Sequence, residues 1–306
     1  MDLSMTNHAV DAYLIIDAGG TFLKSAILDK EGGVYPDSSL MTKACSEGSK
    51  EEILDALGEV IVKGLDYIKA NKLVMSGIGM CFPGPFNYYE GFSMMDHKFK
   101  NIKGVNLREF IQGIPGVLPS IPIVFKHDAN SVVAGELWKG NAQGYQNAAV
   151  ITLGTGLGFA FSDKREVQCN AIGGPLVSVF KSPYKDGILE DYVSKRGFLK
   201  IFRQKCGNND VNIEIAEIGK RADQGDEIAK ETFREAGRII AENFGKILEE
   251  RQIECLMFGG QISRSYKHME EAVKEGLQGI DCLQKISNVK SIDNAAFLGL
   301  LHAMIK

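Results

Sequence analysis

Leu14-Ile15-Ile16-Asp17-Ala18-Gly19-Gly20-Thr21-Phe22-Leu23-Lys24-Ser25-Ala26-Ile27-Leu28-Asp29 reads as an apolar strand ending on a carboxylate, a two-glycine turn and a second strand leading away. Glycine lets backbone N–H groups approach an anion closely and tolerates the positive φ that a tight turn can need. Successive turn N–H groups form a small concavity that suits phosphate oxygens. Asp17 stands where a magnesium-bound water could be held, Thr21 offers a hydroxyl and Lys24 a nearby positive charge. Taken alone, the stretch fits an ordinary Gly-Gly hairpin equally well.

The pattern recurs. Ala148–Leu153 is a second apolar strand, followed by Gly154-Thr155-Gly156-Leu157-Gly158 and then Phe159–Ser162. A third glycine pair, Gly259-Gly260, closes the strand Ile253–Phe258. Three such turns at strand ends point to a nucleotide cleft between two half-structures. Rival glycine motifs fail. No Gly-x-x-x-x-Gly-Lys-Ser/Thr run opens a helix, and the third glycine of a dinucleotide fingerprint would fall at Phe159, where a strand follows.

With 306 residues the chain is long enough for two lobes with separate cores. Apolar residues make up 44% and charged ones 24%, which places it among ordinary globular proteins. A net charge of −4 offers no basic surface for nucleic acid or an acidic membrane. Met1–Asp11 is polar and lacks a signal-peptide core, and no run approaches the ~20 apolar residues of a membrane span. These features predict a cytoplasmic protein. Six scattered cysteines without a Cys-x-x-Cys pair indicate reduced thiols, and the five histidines show no metal-ligand spacing.

Along the first half, strands and helices alternate. Helical spacing runs through Glu51–Asn71, a strand through Val74–Met80, and Phe82-Pro83-Gly84-Pro85 forces a turn. A short helix over Asn106–Gln112 and a strand over Ile121–Phe125 precede His127-Asp128. Asp128 opens a helix through Trp138, where it can act as an N-cap, as a base at the mouth of a cleft, or as both. In the second half, Lys181–Lys185 reads as loop and a helix starts from Gly187–Tyr192. A long helix covers Asp226–Glu250, and a last helix covers Ala295–Ile305. No low-complexity linker separates the halves, so the crossover is expected in the helix near Ala129–Trp138.

Together these motifs resemble the ROK family (repressors, uncharacterised frames, kinases) of sugar kinases, within the actin-like ATPase superfamily. Asp17-x-Gly19-Gly20-Thr21-x-x-Lys24 is similar to the family's first phosphate motif and Gly154-Thr155-Gly156 to its second. Phe258-Gly259-Gly260-Gln261 resembles the adenosine motif, and Gly77-Ile78-Gly79 with Pro83-Gly84 a further glycine stretch. Asn101 opens a segment resembling the one that lines the sugar side. Asp128-Ala129-Asn130 with Gly135-Glu136 resembles the catalytic motif. The resemblance extends from about Tyr13 to Met304.

The resemblance implies an α/β fold of two ribonuclease H-like lobes flanking a nucleotide and sugar cleft. The smaller lobe would span 9–127 with the C-terminal helix 292–306, and the larger 128–291. It also implies ATP and Mg²⁺, with Asp128 taking the proton of a sugar hydroxyl, Asp17 holding Mg²⁺ through water, and the glycine turns with Thr21 and Thr155 holding phosphates. The partners it implies are a sugar acceptor and a second copy of the chain.

The departures are local. A gap-free reading puts Pro175 and Ser178 where the family has a sugar-binding Glu and His. Between Gly174 and Glu190 there is no cysteine or histidine, so the family's zinc loop has no ligands. His127 replaces the asparagine before the catalytic Asp, and Glu190 alone keeps a matched sugar-binding carboxylate. An atypical acceptor would account for this, contacted by Gly84, Asn101, His127, Lys181 and Glu190. The alternative is a non-catalytic sensor of sugar or nucleotide, against which the retained Asp128 argues. A repressor would need a helix-turn-helix before the first phosphate motif, which only a dozen residues precede. An actin-like polymer or chaperone ATPase would be longer and lack the Asp-Ala-Asn pattern.

Overall fold

The computed structural model describes residues 10–96, 98–208 and 212–306. The polar opening segment with His8, the expected lobe start at residue 9, and His97 lie outside the described residues. The chain forms two compact units. One holds the described residues up to Ser131 with Cys169–Gly174 and Ala296–Lys306, and the other holds Val132–Gln168 and Pro175–Ala295.

In the first unit, β1 (Asp11–Ala18) and β2 (Phe22–Leu28) form the opening hairpin. β3 (Leu40–Lys43) pairs outside β2, α1 (Lys50–Ala70) follows, and β4 (Val74–Cys81) lies parallel to β1. A small hairpin of β5 (Phe86–Asn87) and β6 (Phe92–Ser93), then α2 (Leu107–Gln112), lead to β7 (Ile123–Lys126), parallel to β4. The sheet order is β3-β2-β1-β4-β7. Central β1 is buried from Ala12 to Ile16, which is why its sequence is a continuous apolar run rather than an alternating one.

Helix α1 starts at a capping box in which Ser49 and Glu52 bond each other's backbone N–H groups. Its stripe of Ile53, Leu57, Val60, Ile61 and Ile68 is buried, and each such side chain contributes roughly 1.5–3 kcal/mol. Two glycines set the approach of the C-terminal helix Ala295–Ile305 to β4. A Cβ at Gly77 would come within 2.7 Å of Met304 Sδ, and one at Gly79 within 3.1 Å of Leu300 Cβ. Ser131 Oγ anchors the start of that helix by donating to the Ala296 carbonyl at 2.7 Å.

Helix α3 (Asp128–Lys139) begins in the first unit, and the division between units falls inside it, after Ser131. The second unit continues with β8 (Ala148–Leu153), β9 (Leu157–Asp163) and β10 (Glu166–Val167) as an antiparallel meander. A hairpin of β11 (Pro183–Tyr184) and β12 (Gly187–Ile188) leads into α4 (Glu190–Val193), α5 (Lys195–Cys206), α6 (Ile215–Asp223) and α7 (Glu227–Glu250). β13 (Cys255–Gly259) lies parallel to β8, and after α8 (Glu270–Gly276), β14 (Lys285–Asn288) lies parallel to β13. The order β10-β9-β8-β13-β14 repeats the first sheet's arrangement, with a hairpin pair, an edge strand and two parallel additions in the same places. Its core is aromatic, with Phe159, Phe198, Phe233, Phe244 and Phe258 in one cluster.

The Lys181–Lys185 stretch differs from the loop expected there. Pro183-Tyr184 pair with Gly187-Ile188, so the helix expected from Gly187 starts only at Glu190. Among the described residues no helix is long and apolar enough to cross a membrane.

Candidate active site

In the first unit, β1, β4 and β7 end in register, with Asp17 beside Cys81 and Cys81 beside Lys126. His127 and Asp128 follow directly. Both candidate carboxylates therefore stand at the carboxyl ends of parallel strands, the edge where open α/β sheets hold ligands. Burial, then the charge of Asp128, push the Asp17 carboxyl up to about 6, while Lys24 across the hairpin pulls it down. Asp128 behaves oppositely. Its protein surroundings oppose the charge, yet 53% of its side-chain surface is open to solvent, and His127, the Ala129 N–H and Lys98 hold it below the usual carboxylate range. Asp128 Oδ1 lies 2.7 Å from His127 Nδ1 and accepts from Ala129 N at 2.7 Å.

Asp128 is the first helical residue of α3, one place later than an N-cap. The His127 carbonyl accepts from Ser131 N at 2.9 Å, and its ring nitrogen lies 3.3 Å from Ala129 N, so His127 takes the capping position.

The turn after Asp17 corrects one expectation. Neither Gly19 nor Gly20 has a positive φ. Glycine is required at 19 by close approach, since a Cβ would come within 2.9 Å of the Phe22 carbonyl. Gly19 N–H donates to that carbonyl at 3.0 Å. Among the described residues the next two N–H groups, of Gly20 and Thr21, have no acceptor, which leaves a pair of donors at the turn. The Thr21 carbonyl accepts from Ala44 N, and Ser46 Oγ donates to the Gly20 carbonyl at 2.5 Å. Lys24 pairs across the hairpin with Asp17 and so stays beside the turn.

Around Asp128, the Tyr88 and His127 rings meet in a T-shaped arrangement at 6.1 Å between centroids, and Tyr88 donates its hydroxyl to the Phe82 carbonyl at 2.9 Å. Gly84 faces the same two residues, a Cβ there lying 3.4 Å from Tyr88 Oη and 3.7 Å from His127 Cδ2. Asn130 is 1% exposed and donates to the Gly173 carbonyl at 3.3 Å, which ties Cys169–Gly174 to this unit. Asn101 is exposed and donates to the Gly48 carbonyl at 2.6 Å, so its side chain holds the loop before α1.

In the second unit, Gly154 N–H donates to the Gly156 carbonyl at 3.0 Å, while the Thr155 and Gly156 N–H groups have no acceptor among the described residues. Neither glycine has a positive φ, and a Cβ at Gly154 would meet nothing within 4 Å. Glu190 Oε2 accepts from Leu157 N at 2.9 Å, and Oε1 accepts from Arg196 at 2.9 Å. Lys195 N–H donates to the Gly154 carbonyl at 2.8 Å. The α4–α5 junction thus pins both ends of the turn. The third glycine pair differs again. Gly260 has φ +81°, and a Cβ there would run into the Leu153 backbone, whereas Gly259 makes only ordinary contacts.

Reading the residues in order missed Lys98, Tyr88 and Arg196, which lie in charged or aromatic stretches without a local pattern. Among the described residues, no group of three or more His, Cys, Asp or Glu is placed to hold a metal ion.

The fold is that of actin-like sugar kinases. The structure of a ROK-family glucokinase from Streptomyces griseus, in complex with glucose and AMPPNP, superposes with a TM-score of 0.79 at 19% identity, covering 95% of this chain and 98% of that one. The chain belongs to the ROK family, whose sequence profile matches residues 13–173 and 183–305. The unmatched stretch, 174–182, contains Pro175 and Ser178. A glucokinase from Halalkalibacterium halodurans is 29% identical over 200 residues, 62% of this chain and 58% of that protein. A β-glucoside kinase from Listeria innocua is 27% identical over 142 residues, 46% of this chain and 43% of that protein. The chain thus spans about half the length of these two relatives.

Proposed function

We propose that this protein is an ATP-dependent kinase of a sugar or sugar derivative, with Asp128 as the general base. The observation that carries this reading is the contrast between two carboxylates on one sheet edge. Asp128 is held ionised by His127 and by the Ala129 N–H, as a base must be, while Asp17 is strained as an anion by burial and by Asp128. A carboxylate in that state suits a cation, so Asp17 would hold Mg²⁺ through water. The paired N–H donors of Gly20 and Thr21, and of Thr155 and Gly156, suit phosphate oxygens.

Bound Mg²⁺–ATP supplies the electrophilic phosphoryl group. Asp128 accepts the proton of the acceptor hydroxyl, and the turn donors hold the phosphates, so the protein contributes position and charge stabilisation. Six free thiols fit a reducing compartment, and we place the reaction in the cytoplasm. The names of the relatives support a sugar as acceptor, although Pro175, Ser178 and His127 alter the sugar side.

A coupled ADP-release assay across hexoses, N-acetylhexosamines, ketoses and sugar acids tests the reading. Asp128→Asn should lower turnover roughly 10²–10⁴-fold with nucleotide affinity kept. ATP binding without turnover on any sugar would favour the sensor instead, and near-normal turnover in Asp128→Asn would remove Asp128 as base.

A further inference from the structure

The first phosphate turn has a cation beside it that no motif marks. Lys98 is half-buried, and its side chain lies along Gly20. A Cβ at Gly20 would meet Lys98 Cδ at 3.0 Å, Cε at 3.3 Å and Nζ at 3.5 Å. The missing side chain at 20 is what lets the ammonium come down on the turn. Among the described residues no carboxylate pairs with it, whereas its neighbour Lys103 is paired with Asp96. Next to it stand the Gly20 and Thr21 N–H donors, which also have no acceptor there. Three donors of positive character therefore converge at one end of β1, and the field of the ammonium reaches Asp128.

We propose that Lys98 binds the phosphoryl group in transfer and neutralises the charge on its oxygens. A partly buried ammonium beside a donor turn, with no carboxylate paired to it among the described residues, is placed for the moment of greatest charge. The acceptor oxygen forms its bond to the γ-phosphorus as the bond to the β–γ bridging oxygen breaks. The hydroxyl proton passes to Asp128, and ADP leaves with the electron pair. Lys98 keeps its proton throughout and acts as a fixed positive charge, the kind of preorganised donor whose removal typically costs about 10²–10³-fold in rate. The rate part rests on the kinase reading, and the anion-binding part does not.

Lys98→Met, Lys98→Gln and Lys98→Arg test both parts. Binding of a non-hydrolysable ATP analogue is followed by calorimetry, turnover by ADP release, and folding by thermal melting. Methionine and glutamine should weaken analogue binding at least tenfold and lower kcat about 10²–10³-fold, with arginine recovering part of both. The acid limb of the kcat/KM profile should also move to higher pH, because Asp128 loses a stabilising charge. A merely structural lysine would leave analogue binding in place. Analogue binding within twofold of wild type in both neutral variants, with melting unchanged, would overturn the proposal. If wild type turns over no sugar, the kinase reading fails by itself and the binding measurement alone decides Lys98.

Discussion

The Asp128 carboxylate lies 2.7 Å from Nδ1 of its own chain neighbour His127, and that contact helps hold it below the ordinary carboxylate range. If Asp128 is the base, as proposed, it must be deprotonated to work, so the pair would extend activity toward acid. His127→Asn removes the imidazole's contribution, and the Asp128 carboxyl then rises. The acid limb of the kcat/KM profile should shift to higher pH, with the alkaline limb in place. An unmoved acid limb would show that His127 does not set the ionisation of the base.

Asp17 carries the opposite linkage. Its folded value of about 6 stands above its usual 3.8, so the folded state binds the proton more tightly. That contribution to stability is fully present below about pH 4 and is lost as pH rises through about 6. The ionised side chain then costs on the order of 2–3 kcal/mol relative to its protonated form. Asp17→Asn should therefore raise the melting temperature at pH 7 without nucleotide, flatten the pH dependence between 4 and 6, and abolish turnover. Denaturant titrations at pH 4 and 7 measure the difference. A mutant less stable than wild type at pH 7 would contradict the strain.

Two turn glycines should separate stability from binding. Gly260→Ala forces a side chain onto a positive φ and against the Leu153 backbone, and should destabilise by several kcal/mol. Gly154→Ala meets no atom and needs no change of φ, so it should melt like wild type. Its methyl group occupies the space that phosphate oxygens would approach, so ATP affinity should fall. Equal melting temperatures for the two variants would refute this distinction.

Glu190 was matched to acceptor recognition alone, and its bonds widen that role. With Leu157 N–H on one oxygen and Arg196 on the other, Glu190→Gln should loosen the Gly154–Gly156 turn as well as the acceptor side. Losing a charge-assisted bond of this kind costs about 1.5–3 kcal/mol. KM for ATP and for the acceptor should both rise, and Arg196→Met should reproduce the ATP effect. Glucose should remain a poor acceptor, because Pro175 and Ser178 offer no Glu or His to hold it. Isothermal titration with the nucleotide and acceptor measured separately resolves the two contributions.

What the sequence determined by itself was set over short spans. The apolar run of β1, its Asp-Ala-Gly-Gly turn and the stripe of α1 each read correctly, because periodicity and turn chemistry act over a few residues. The ordered set of phosphate motifs was enough to reach the family. Boundaries slipped where a neighbouring residue or segment took the role. Gly187-Ile188 became a strand only because Pro183-Tyr184 lies opposite, and Asp128 lost the capping place to His127. Of the two reasons expected for glycine at 19 and 20, positive φ does not apply, and close approach does, to Phe22 O and to the Lys98 side chain. Only the tertiary structure decided that Lys98 reaches Gly20 from 78 residues away in sequence, and that Glu190 braces Leu157. Such contacts are chosen by the packing of whole elements, and no window of sequence contains both partners.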